Sequence, residues 1–90
     1  MIGDFIHKME FANIDIEQRL TQILIDGQAD NGNVKVVVDG NKVVRQILIS
    51  PELFAKGDKK AIEDFTLIAM NIALKKAEQE YKEIVKGMAK

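Results

Sequence analysis

Asp30–Phe54, DNGNVKVVVDGNKVVRQILISPELF, decides the fold, because it reads as two paired strands followed by the start of a helix. Val34, Val36 and Val38 alternate with Lys35, Val37 and Asp39, the period-two pattern of a strand. Asp39-Gly40-Asn41 then supplies residues that tolerate positive φ, and a second β-branched run follows from Lys42 to Ile49. The pattern predicts a hairpin. Ser50-Pro51 closes it: Ser caps a helix N-terminus, and Pro at the first helical position gives up an N–H that has no partner there anyway.

Upstream, Ile23–Gln28 is β-prone and ends in the loop Asp30-Asn31-Gly32, which predicts a first strand and hence a three-stranded antiparallel meander. Such a sheet is too small to stand alone. Downstream, Lys56-Gly57-Asp58 breaks the short helical turn after Pro51, and Asp58 is placed to cap a long helix running to about Lys86. The first half of that helix is apolar over a wide arc that includes Ile62, Phe65, Ile68, Ala69, Ile72 and Leu74, enough for two contacts. Past Lys75 the apolar stripe narrows to Ala77, Tyr81, Ile84 and Met88, which suits a projecting arm paired with one partner helix. At the other end, Ile2, Ile6, Met9, Asn13, Ile16, Leu20 and Ile23 follow a heptad-like spacing. Asn13 has two readings, a buried register-setting residue in a helix seam or a break before a second helix beginning near Asp15. The expected fold is therefore α+β over residues 1–90 as a single domain: helix, three-stranded antiparallel meander, short helical turn, long C-terminal helix.

Ninety residues bury only about 60–65% of their unfolded surface, so a chain of this size is marginal as a monomer. With no cysteine, neither disulfides nor thiolate metal sites can staple it, and self-association is the remaining common device. No apolar run reaches the roughly 18 residues of a membrane span. Met1-Ile2-Gly3-Asp4 lacks the basic head of a signal peptide, so the expected location is cytoplasmic. The net charge is −1, with 13 basic and 14 acidic residues, so any cationic surface must arise from local arrangement.

The chemistry-bearing residues are few. His7 is the single histidine and Ser50 the single serine, and Ser50 is already explained as a cap, so a nucleophile–base pair is not expected. Glu63 and Asp64 are adjacent and diverge by about 100° on a helix, so they form no carboxylate pair. Gly27, Gly32, Gly40 and Gly57 lack the spacing of a phosphate-binding loop. No enzyme, metal or cofactor is expected. One electrostatic pattern remains: Lys75, Lys82 and Lys86 fall within about 40° of one another on the last helix, with Lys90 somewhat further round. Read from the residues alone, this is a solvated face with Glu78–Lys82 pairing; the second reading is a stripe for phosphates.

The register of these elements resembles the YbaB/EbfC family of bacterial nucleoid-associated proteins. The likeness rests on Gly32, Val34, Lys35 and Val36, the strand end Ile47 and Ile49, the Pro51–Leu53 turn, Ile62-Glu63-Asp64-Phe65, and Ala69, Asn71 and Ala73. It continues through the lysine-rich helix to Gly87-Met88, without an insertion from about Leu20, with Gly27 in the family's first-strand position. Ser50 stands where that family usually has Asp, and Leu53-Phe54 where it often has a double Leu; both changes are conservative for capping and packing. The resemblance implies a homodimer whose paired helical arms clasp DNA, located at the nucleoid. The expected phosphate-contacting residues are Lys75, Lys82, Lys86 and Lys90, with Lys8 and Arg19. Phe65, Ala69, Ile72, Leu74 and Tyr81 are the expected dimer interface. The rival expectation is a dimeric module that binds a protein partner, such as a recombination or replication component, through exposed Phe5, Phe11 or Tyr81.

Overall fold

The computed structural model describes residues 16–88, and the order of elements is the expected one. A helix α1 over 16–21 leads into β1 (Leu24–Ala29), β2 (Val34–Asp39) and β3 (Val44–Ile49), then α2 (Pro51–Ala55) and α3 (Lys59–Met88). The heptad from Ile2 to Asn13 and the choice of readings at Asn13 lie outside the described residues, as do Phe5, His7, Lys8, Phe11 and Lys90.

The sheet is an antiparallel meander in the order β1-β2-β3. Val34, Val36 and Val38 are completely buried, which is the period-two alternation made physical, and full burial of each valine is worth about 1.5–3 kcal/mol. They stand beside Ile25, Gly27 and Ala29 of β1 on the face that α3 covers. β1 begins and ends one residue later than the expected Ile23–Gln28. The chain leaves it through Asp30, Asn31 and Gly32, all at positive φ.

The β2–β3 turn differs from expectation. The positive φ falls at Lys42, at 66°, and β3 starts only at Val44. The reason is that Gly40 is needed for close approach. A Cβ there would lie 2.8 Å from the carbonyl oxygen of Leu20, and the Gly40 N–H donates to the carbonyls of Leu20 and Ile23. The Asp39 carboxylate folds the turn around that contact, accepting from the N–H groups of Asn41 at 2.8 Å and Val43 at 3.1 Å. The Arg45 guanidinium grips its other oxygen at 2.6 Å. Burial pushes this carboxyl up, but the Val43 and Asn41 N–H groups and Arg45 outweigh burial and hold it below the ordinary carboxylate value.

Ser50 caps α2 as its sequence predicts, accepting from the Leu53 N–H at 3.1 Å with Pro51 in the first turn. Its hydroxyl donates to the Asn33 side chain at 2.8 Å and so ties α2 to the β1–β2 turn. Asp58 caps α3 through the Ala61 N–H at 3.0 Å. α3 then runs for 30 residues, about 45 Å, against strands of six residues spanning roughly 20 Å. It packs through Ala69, Ala73 and Ala77, one per turn and all fully buried. These small side chains bring the helix backbone down onto Gly27, where an added Cβ would sit 2.1 Å from the Ala69 carbonyl oxygen.

Candidate nucleic-acid interface

Ala69, Ala73 and Ala77 define the direction from α3 to the sheet, and every other position on the helix follows from about 100° per residue. Lys75, Lys82 and Lys86 point away from that seam by roughly 140–180°, and all three are exposed. They form a line about 16 Å long on the solvent side of the helix. Beyond Ala77 the helix has run past the sheet: among the described side chains from Glu78 onward, only Ile84 is even half-buried.

The acidic neighbours separate unevenly around this line. Glu78 flanks it, with its carboxylate 4.0 Å from the Lys82 ammonium and both groups largely in water, an i,i+4 pair worth a few tenths of a kcal/mol. Glu83 flanks it on the opposite side, about 60° round the helix from Lys86, and Glu80 falls on the seam side. Among the described residues no carboxylate lies within ion-pair distance of Lys75 or Lys86. Lys76, adjacent in sequence, is turned inward instead, donating to the Asp26 carbonyl at 3.0 Å. The helical period therefore sends two consecutive exposed lysines to different sides, one of them within reach of β1. Arg19 is exposed on α1, whose Leu20 is buried against the β2–β3 turn.

The expected interface residues divide as well. Ala69 is wholly covered by its own sheet and offers no surface to a second copy, because a residue this small at the seam is what lets the helix approach Gly27. Phe65 and Leu74 are half-buried against the chain's own core. Ile72 and Tyr81 are exposed. The surplus apolar surface is larger elsewhere. α3 lies over β1 and β2 and stops short of β3, so Val44, Ile47 and Ile49 are uncovered although they share the helix side of the sheet with the buried valines. Ile47 is 46% exposed. Leu67 and Ile68 on α3 and Phe54 on α2 are exposed too. The apolar run Ile47-Leu48-Ile49 carried the signal for this surface, but sequence cannot say that the single covering helix leaves the third strand bare.

One short meander under one long helix defines the class, a small two-layer α+β protein, and three exposed lysines line the outer side of that helix. Comparisons with known proteins identify the family and the fold. The model of the YbaB/EbfC DNA-binding family matches residues 5–90, so the chain belongs to that family. It is 29% identical over 84 residues to a nucleoid-associated protein of Dictyoglomus thermophilum, covering 93% of this chain and 81% of that protein. It is 38% identical over 64 residues to the nucleoid-associated protein TTE0040 of Caldanaerobacter subterraneus, covering 71% of this chain and 58% of that one. The crystal structure of the uncharacterized protein HP0035 from Helicobacter pylori superposes with a TM-score of 0.80 over 99% of this chain and 94% of that one, at 20% identity, which establishes the shared fold. No helix among the described residues is long and apolar enough to cross a membrane.

Proposed function

We propose that this protein acts at the nucleoid as a homodimer that holds duplex DNA through phosphate contacts from the outer side of α3. Lys75, Lys82 and Lys86 supply the contacts, with Lys8, Arg19 and Lys90 as further candidates. The observation that carries this reading is the line of three exposed lysines set opposite the alanine seam, on a helix that outruns its sheet. A stripe there can meet a phosphate backbone without disturbing any packing contact. Contacts of this kind are indifferent to base sequence, and their strength comes from releasing counterions. A second copy doubles the number of lysines and covers the bare side of β3, which a single chain leaves in water.

Replacing Lys75, Lys82 and Lys86 by Gln tests the site. The variant keeps the apolar face and is expected to fold, while its affinity for duplexes of unrelated sequence falls together and its salt dependence flattens by up to about 0.9 in log–log slope per lost contact. Unchanged affinity and slope would remove the stripe as the site. A second reading, a dimeric module for a protein partner, is favoured by exposed Phe54 and Tyr81, and it predicts wild-type protein that leaves duplex DNA free even at low salt.

A further inference from the structure

A three-stranded sheet has two edges, and here they are treated differently. On β1, the Ile23 carbonyl accepts from the Gly40 N–H, so by alternation Ile25, Gly27 and Ala29 turn their backbone groups toward β2. Leu24, Asp26 and Gln28 therefore turn theirs outward. The middle of that edge is occupied: the Lys76 ammonium donates to the Asp26 carbonyl at 3.0 Å, reaching down from the part of α3 that rests on Gly27. A docking strand would need to place its own N–H where this ammonium sits. On β3, the Ser50 N–H is taken by the Asn33 carbonyl, so Gln46 and Leu48 face β2 and Ile47 and Ile49 present their N–H and C=O groups outward. Among the described residues none bonds to those groups.

We propose that Lys76 closes the β1 edge, so that association strand by strand is confined to β3 of two copies and stops at the dimer; this rests on the homodimer reading above. Pairing β1 of one copy with β3 of the next is heterologous, leaves one edge of each kind free, and continues into an open chain. Pairing β3 with β3 about a two-fold axis uses the same edge twice and closes. A lysine laid across an exposed edge is a known way of refusing a strand. The occupant of β3 is a second copy because the uncovered Val44, Ile47 and Ile49 strip borders that edge, and an identical strip from a two-fold mate meets it along its length.

Light scattering at rising protein concentration tests the inference on Lys76→Met, which keeps the stem and removes the donor, and on Lys76→Ala, which keeps the helix. Lys76→Arg retains a donor, and Lys56→Met removes one exposed charge from the C-terminal cap of α2, which makes no bond to the Asp26 carbonyl. Wild type, K76R and K56M are expected to hold at the mass of two chains, while K76M and K76A, with helix content unchanged by circular dichroism, grow to several-fold larger species. The proposal is overturned if neither Lys76 variant exceeds wild type in mass, or if K56M grows alongside them. A wild type that runs as one chain would end the homodimer reading, and the comparison of K76M with wild type would still decide whether this lysine closes the edge.

Discussion

Asp39 closes the β2–β3 turn with a carboxylate that solvent does not reach, and it does so by satisfying two backbone N–H groups and one guanidinium at once. Because its folded-state pKa lies below the ordinary 3.8, the stability it adds is present above that value and disappears as pH falls through the lower, folded one. The melting temperature of wild type should therefore drop as pH is lowered below about 4, and that of Asp39→Asn should drop less steeply. Asp39→Ala leaves the two N–H groups unpaired and should cost about 2–4 kcal/mol in urea denaturation; an unchanged midpoint would contradict this account of the turn. Gly27→Ala forces a methyl into the Ala69 carbonyl and should cost about 3 kcal/mol, the upper part of the overpacking range. That Gly27 lies inside a strand was legible in the sequence. The demand on Gly40 was not, because it depends on Leu20, 20 residues away in the chain.

Elements built on local rules were the readable ones. Ser50, Pro51 and Asp58 set the starts of α2 and α3 through bonds to residues no more than three positions away, so sequence alone placed them. Ser50→Ala removes the α2 cap and the link to Asn33, and a loss of about 1–2 kcal/mol is expected by thermal melting. The face of α3 that meets the sheet was harder to read. Bulky residues spread over more than half of its circumference, and the seam is marked by alanines, whose hydropathy is weak. Fit to Gly27, a property of the opposing strand, chose them. For the same reason Lys76 reads as one more surface lysine until the strand beneath it is known. Leu74, expected at an interface, is half-buried against its own core, so Leu74→Glu would lower the stability of the single chain and cannot report on assembly alone.

At the scale of the whole molecule, the bare side of β3 sets the expectation of a dimer. Ile47→Glu changes a residue that water already reaches in the single chain, so monomer stability should move by less than about 0.5 kcal/mol while light scattering falls from two chains to one. Retention of the two-chain mass would place the interface elsewhere. The net charge of −1 looks adverse to DNA binding, yet five lysines and three glutamates lie between Lys75 and Lys90, and the helical period gathers Lys75, Lys82 and Lys86 on one side. Overall charge therefore says little about this surface. The most direct test of the central claim is fluorescence anisotropy of a labelled duplex titrated with wild-type protein at a series of salt concentrations. A linear fall of log affinity with log salt, with a slope matching several phosphate contacts and the same for unrelated sequences, is the predicted result. Absence of binding near 50 mM salt, where electrostatic association is strong, or an affinity indifferent to salt, would contradict it.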